Sequence, residues 1–422
     1  MKRVALYDLD SRIPNLALMK LATHYRRLGG AVRLERIRSL AACRAVPEAD
    51  RHLASVVFHT PSSHARWHAL EKTLGDRLET GGSGFSLQKR LPPEVENCFP
   101  DYSLYQHSLY ALGFLTRGCH KPCAFCVVPA KEGRLKRQTN SFDDFVQPGQ
   151  RNVMLLDDNL LSYVEVEDLL EEMIRRRYAV NFNQTLDIAY LTEDKYRLLR
   201  QIDYQNAGFD NRMIYFSLNY PRTIQQFTKR RDMLRGFGED CVTVVCIYGF
   251  DTSLRQDYER FYWLRRLRLI PFFQEYWPIP DMPSRLPETF FDMELQPMLR
   301  LTFRGNGYNW EKYLRWLNRL YFARFGRFYR PLLETIFRYN HKERFEWYRN
   351  RPELLTGELY RDFRSETTHR DLAGAGRLEN AGGKLRAPYR GRNLFRQAEA
   401  TKASAFKKSR VRSDDGEETV QI

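Results

Sequence analysis

The sequence predicts an α/β protein built on parallel sheets. Short apolar runs that read as strands alternate with amphipathic stretches that read as helices, first over residues 1–100 and again from Leu112 onward. A Pro-rich passage, "LPPEVENCFPDY", separates the two series. We expect a doubly wound domain over 1–100, then a run of βα-like units over 108–284 forming an open or partial barrel. Residues 285–364 read as helical and rich in aromatics and arginine. Residues 365–422, poor in large apolar side chains, read as a disordered basic tail.

In the first domain, "VALYD" is a compact apolar strand. Leu18, Leu21, Ala22, Tyr25 and Leu28 follow at helical spacing, and Gly29-Gly30 ends that helix. Val32 and Leu34 alternate as a second strand would, and "ASVVFHT" (54–60) reads as a third. "GGSGF" (81–85) lacks the strand–GxGxxG–helix context of a phosphate loop and reads as a plain turn. In the second series the expected strands are 113–116, 152–156, 179–183, 214–218, 242–248 and 270–274. The clearest helix is expected to start at Ser162, with Glu165 completing a capping box and Val166, Leu169, Leu170, Met173 and Ile174 as its buried stripe.

Bulk composition narrows the class. Hydrophobic residues make up 43% of 422, ordinary for a globular chain. The N-terminal apolar run, Val4 to Tyr7, is closed by Asp8 and is too short for a signal peptide. The longest apolar stretch, near "VTVVCIYGF", falls far below the ~18 residues of a membrane span. The expectation is a cytoplasmic protein without membrane contact. The net charge of +16 would attract nucleic acid or an acidic surface without identifying a partner.

Three of the seven cysteines, Cys119, Cys123 and Cys126, crowd into "RGCHKPCAFC" at the end of the strand "GFLT". In a reducing compartment such clustering favours metal or redox chemistry over disulfides. A structural zinc wants four protein ligands; His120 adjoins Cys119 and is an awkward fourth, and no CxxC or HxxxH partner lies elsewhere. Three thiolates suit a [4Fe–4S] cluster with one iron open to a reactant. Cys241 and Cys246 stand five apart on one expected strand, so they face opposite sides, and Cys43 and Cys98 are isolated.

"CHKPCAFC", with an aromatic just before its last cysteine, resembles the signature of the radical S-adenosylmethionine (radical SAM) superfamily; "TRGC", "VVP", "VMLLDDN" and the βα units that follow support the likeness. The closest resemblance is to bacterial and phage members of unassigned substrate whose Rossmann-like N-terminal domain is similar to a cobalamin-binding domain. What the resemblance implies is a partial (β/α)6 barrel in which Cys119, Cys123 and Cys126 ligate the cluster. SAM would chelate the open iron and be cleaved reductively to start radical chemistry on an unknown substrate. Phe125 would inherit the place beside the adenine. A cluster of this kind needs a low-potential electron donor of the flavodoxin or ferredoxin type.

Ligands of parallel α/β folds sit at the C-terminal ends of strands. That rule offers Asp157, Asp158, Asn159, Gln184, Ser217, Asn219 and Tyr248 as SAM-facing residues, and Asp187, Gln274 and Glu275 as substrate-facing ones. Capping or a nearby arginine would account for several of these equally well. Methylthiotransferases of the superfamily hold a second cluster with three N-terminal cysteines; only Cys43 and Cys98 precede the central motif here, so that activity is not expected. The DxHxxG loop of cobalamin-dependent members is absent, and cobalamin is not expected, although base-off binding stays open.

In "NWEKYLRWLNRLYFARFGRFYR", arginines interleave with aromatics. Packing against the barrel is the first reading, and RNA contact the second. The competing account of the whole chain is a zinc-stabilised RNA-binding protein; an RNA-modifying radical SAM enzyme would combine the two.

Overall fold

The computed structural model describes residues 2–340, apart from 106–108, 239, 280 and 304–308. The basic tail and the end of the expected helical region lie outside the described residues. The protein is a mixed α/β molecule with parallel sheets.

The chain opens with β1 (Arg3–Asp8), α1 (Leu16–Arg27), β2 (Ala31–Arg36), β3 (Arg51–Ser55), α2 (Pro61–Leu74) and β4 (Leu78–Gly81). These strands form one parallel sheet in the order β2-β1-β3-β4. Side chains alternate along the central strand β1, so both of its faces are buried. Ala5 and Tyr7 pack with Val56, Leu70 and Leu74, while Val4 and Leu6 pack with Leu18 and Ala22. The Asn15 side chain caps α1 by accepting from the Leu18 amide, and Thr60 caps α2 with Pro61 behind it. The third strand lies a few residues before its expected place. Beyond Ser55 the backbone turns to donate the Val57 and Phe58 amides to the Asp10 carboxylate, both at 2.9 Å. β4 was not anticipated; its last residue, Gly81, opens the glycine loop.

There follow α3 (Pro93–Glu96), β5 (Ala111–Gly113), β6 (Thr116–Arg117), α4 (Val128–Lys131), β7 (Arg137–Gln138), β8 (Asn152–Leu155), α5 (Val166–Arg176), β9 (Ala179–Phe182), α6 (Glu193–Gln201) and β10 (Asp203–Tyr204). Then come β11 (Ile214–Ser217), α7 (Ile224–Lys229), α8 (Arg231–Gly236), β12 (Val242–Tyr248), α9 (Leu254–Leu267), β13 (Ile270–Glu275), α10 (Gln296–Leu299), α11 (Trp310–Phe325) and α12 (Arg330–Asn340). Two parallel sheets result, β10-β9-β8-β5 and β11-β12-β13. A parallel bridge from Leu186 to Phe216 joins them, with the Leu186 amide 2.8 Å from the Tyr215 carbonyl.

Two expectations need correction. The strand expected over 113–116 is split. β5 stops at Gly113, where any side chain would run into the Phe145 ring, and β6 pairs antiparallel with β7. The helix expected from Ser162 starts at Val166. Leu160 and Leu161 are buried in a short 3-10 turn, and Ser162 donates back to the Asn159 carbonyl at 2.8 Å, so no capping box forms there. Capping boxes form instead at Ser141 with Asp144 and at Ser253 with Gln256, the latter ahead of α9.

The aromatic helix α11 packs as its first reading required. Trp310, Tyr313, Leu314 and Leu317 are buried, and Trp310 and Tyr313 meet Phe261 and Phe273. Asp257 and Arg260 of α9 form an ion pair with both side chains fully buried. Asp257 also accepts from Thr252 at 2.7 Å and from Tyr313 at 2.8 Å, while Arg260 donates to the Leu218, Asn219 and Ile247 carbonyls. This network ties α11 to the C-terminal ends of β11 and β12. Among the described residues no helix is long and apolar enough to cross a membrane.

Candidate metal centre

The cysteine loop leaves β6 at Gly118, whose φ of +87° suits glycine and whose missing side chain leaves room for the Leu135 carbonyl. The Cys119 amide donates to the Gly133 carbonyl at 3.1 Å, and the Cys126 amide to the Cys123 carbonyl at 3.0 Å. Further contacts pin the loop to its surroundings. Lys121 pairs with Asp187, and His120 Nε2 lies 2.5 Å from the Tyr190 hydroxyl. Arg117 bridges Glu96 and Glu132 at 2.9 and 3.0 Å, and Glu96 also holds Lys20 of α1 at 2.9 Å.

Cys119 is buried and the other two thiols half-buried. Burial pushes the Cys126 thiol up to about 12, with Asp158, Cys123 and Cys119 adding to it. Burial also raises Cys123, opposed by Lys121 and Arg222. The three sulfurs therefore lie within electrostatic reach of one another. Yet among the described residues no three His, Cys, Asp or Glu side chains gather in a way that could hold a single metal ion. A cluster binds each thiolate at its own iron corner, so it needs wider spacing than one tetrahedral ion. The set could hold a three-thiolate cluster, whose loading would displace the thiol protons.

The segment after β8 divides its three polar residues between fold and site. Asp157, expected to face the ammonium of SAM, is engaged elsewhere. Its carboxylate accepts from the Leu115 amide at 3.0 Å, the Thr116 amide at 2.5 Å and the Thr116 hydroxyl at 2.6 Å. Asp158 is different: burial pushes its carboxyl up to about 7, countered first by Lys136, whose ammonium donates to the Asp158 carbonyl. Asn159 adopts the left-handed conformation (φ 46°) and sets its Nδ2 4.0 Å from the Cys119 sulfur. Its Oδ1 is buried with no hydrogen-bond partner. A buried acceptor left unmet is costly unless a ligand supplies the donor.

The Phe125 ring centroid lies 5.8 Å from that of Tyr220 and 6.0 Å from that of Phe250, and Phe250 is 4.8 Å from Tyr276. This aromatic wall stands beside the loop, since Tyr220 is pushed up to about 12 by burial and then by Asp251 and Cys123. Arg222 lies over the Tyr220 ring at 4.7 Å. Of these residues, only Phe125 was anticipated. Tyr220 and Phe250 stand three and two residues past the ends of β11 and β12, where the strand-end rule points.

The remaining expected residues are scattered. Asp187 is buried, pairs with Lys121 and caps the Ala189 amide at 3.0 Å. Ser217 is half-buried, while Gln184 and Gln274 are exposed. Asn219 accepts from the Ile247 amide at 3.1 Å and so links β11 to β12. Tyr248 does not line the rim: it is 1% exposed and packs on the rings of Tyr313 and Trp316 at 5.0 and 5.1 Å. Glu275 pairs with Arg319 of α11 at 3.6 Å, the bland alternative for that residue.

No family profile matches the chain. A tRNA-2-methylthio-N(6)-dimethylallyladenosine synthase of Bdellovibrio bacteriovorus is 26% identical over 167 residues, covering 34% of this chain and 36% of the relative. The chain thus spans about a third of the length of that relative (36%). Crystal structures of Streptococcus suis SuiB are similar at TM-scores of 0.30 (bound to the precursor peptide SuiA) and 0.28 (bound to S-adenosylmethionine). Each is 13% identical and covers 45% of this chain, with 43% and 45% of SuiB covered; at those scores the likeness carries no inference. The cysteine signature and the sequence likeness to the curated relative both support a relation to the radical SAM superfamily.

Proposed function

We propose that the protein is an enzyme that cleaves SAM reductively at a [4Fe–4S] cluster held by Cys119, Cys123 and Cys126. The cluster, when bound, supplies one electron to the sulfonium and so starts radical chemistry on a substrate. The observation that carries this reading is the cysteine loop lying beside the unmatched Asn159 oxygen and the Phe125–Tyr220–Phe250 wall. In it, Asn159 and Asp158 receive the ammonium of SAM and Phe125 flanks its adenine. Lys121, Lys136 and Arg222 supply positive charge around the thiolates. Gln184, Asp187, Ser217, Asn219, Gln274 and Glu275 stay peripheral.

We read β5, β8, β9, β11, β12 and β13 as a partial (β/α)6 barrel and the first sheet as a Rossmann-like domain. Ligands of such a domain sit where the strand order reverses, here between β1 and β3. Asp10 already occupies the Val57 and Phe58 amides there, and Asn15 donates to Ser11 and Ser55 across the same crevice. Cobalamin is therefore not part of the proposal. Nor is methylthiolation: Cys43 and Cys98 alone precede Cys119, and they donate to different backbone carbonyls, those of Arg66 and Glu94. An RNA substrate is the second reading, favoured by the net charge of +16 and the tRNA in the relative's name.

Anaerobic reconstitution with iron and sulfide, followed by dithionite and SAM, tests the proposal. Brown protein that releases 5′-deoxyadenosine is expected. Colourless protein carrying about one zinc, with no deoxyadenosine, would replace this reading with the structural-metal one.

A further inference from the structure

The segment that follows the cysteine loop carries charge that the centre itself does not use. Residues 127–138, "VVPAKEGRLKRQ", hold four cations and one acid. The acid, Glu132, turns inward to Arg117, and Lys136 turns inward to the Asp158 carbonyl. Arg134 and Arg137 stay exposed, without an ion-pair partner among the described residues, and Leu135 between them is 73% exposed. Residues 84–90, "GFSLQKR", lie alongside. Arg90 donates to the Ala130 and Lys131 carbonyls, and Lys131 donates to the Ser86 and Lys89 carbonyls at 3.1 and 2.6 Å. That stretch adds Lys89 and Arg90 and no acid. Phe85, 38% exposed, has Lys89 over its ring at 5.9 Å. The result is a basic patch with exposed apolar groups within it.

The patch is joined to the centre by backbone. The Gly133 carbonyl accepts from the Cys119 amide at 3.1 Å, and the Leu135 carbonyl lies against Gly118. An electron arriving at residues 133–135 has one hydrogen bond to cross before it reaches a ligating cysteine.

Resting on the proposed function, we infer that this patch, centred on Arg134, Leu135 and Arg137 and flanked by Lys89 and Arg90, docks an acidic one-electron carrier protein of low potential. The step is balanced: the reduced carrier loses one electron, the cluster gains one, and no atom moves. Weak redox encounters use small surfaces, and opposite charge governs their association. A single-stranded RNA would ask for free aromatic faces. The one aromatic here, Phe85, is packed against Trp67 at 5.1 Å and covered by Lys89.

The test uses the full reconstituted chain, an acidic flavodoxin as probe, and the variants Arg134→Glu with Arg137→Glu, and Leu135→Asp. All three side chains are exposed and outside the centre. Deoxyadenosine release is measured against flavodoxin concentration and, separately, with dithionite. The half-saturating flavodoxin concentration is expected to rise about tenfold or more in the double charge variant, and to rise with salt in the parent. The dithionite rate should stay within about twofold. Titration of oxidised flavodoxin into the parent and the variants should show the same loss of affinity without any turnover. Equal flavodoxin dependence and equal affinity in parent and variants would overturn the inference. So would loss of RNA binding with flavodoxin response intact, or an equal fall in the dithionite rate. A parent that releases no deoxyadenosine even with dithionite would instead overturn the proposed function, and the flavodoxin titration would still decide the docking claim.

Discussion

The carboxylate of Asp157 accepts both the amide and the hydroxyl of Thr116, at 2.5 and 2.6 Å. It thereby fastens the end of β8 to the residue that leads into the cysteine loop. Asp157→Ala would leave the buried Leu115 and Thr116 amides without an acceptor, at a cost of ~3 kcal/mol. We expect a lower urea midpoint and less iron retained per chain after reconstitution. Normal iron content in that variant would show that the latch does not shape the loop.

Asn159 offers the centre its unmatched acceptor, and its loss should be felt by the ligand more than by the metal. Asn159→Leu is expected to weaken SAM binding about tenfold, the value of roughly one hydrogen bond to a charged group. Iron content should change little. Equilibrium dialysis with labelled SAM decides it, and undiminished affinity would remove Asn159 from the site.

Arg260 holds three strand-end carbonyls while paired to Asp257, and both side chains are fully buried. Arg260→Met should destabilise the protein by ~3–5 kcal/mol, because it strands a buried carboxylate. Adding Asp257→Leu should recover part of that loss. Denaturant melts of the single and double variants check the coupling; equal stability of the two would contradict it.

These residues also mark where sequence reasoning stops. Strand positions and the cysteine loop were legible because periodicity and spacing are local. Tyr248 was not: its strand-end position suggested a ligand, but α11, some sixty residues later, covers it. Asp157, Asp158 and Asn159 read alike as a polar triplet. What separates them is the depth of the Thr116 segment opposite, which no window around residue 157 reveals. Ser162 and Glu165 had capping-box spacing, yet burial of Leu160 and Leu161 decided the turn. Arg134 and Arg137 were readable as charges but not as a patch, because their neighbours Lys89 and Arg90 come from another segment.

The first domain should respond to acid through His52. Its Nδ1 lies 2.8 Å from the Tyr7 hydroxyl in the core, and burial followed by Arg77 holds its pKa below the usual imidazole value. A group depressed in the folded state contributes stability that is fully present above its unfolded value, about 6.5. That contribution is lost as pH falls through the lower folded value. Thermal melts should drop as pH falls below about 6.5, and His52→Gln should flatten that slope. His64, also depressed by burial, leaves a residual slope. An unchanged slope in the variant would exclude His52 as its source.

The proposed activity depends on three sulfurs leaving one iron corner for SAM. Electron paramagnetic resonance of the reduced, reconstituted protein tests that most directly. Adding SAM should alter the g-values of the reduced-cluster signal in the parent, and Cys126→Ala should lose the signal. A parent spectrum indifferent to SAM, or a Cys126→Ala spectrum equal to the parent's, would contradict it.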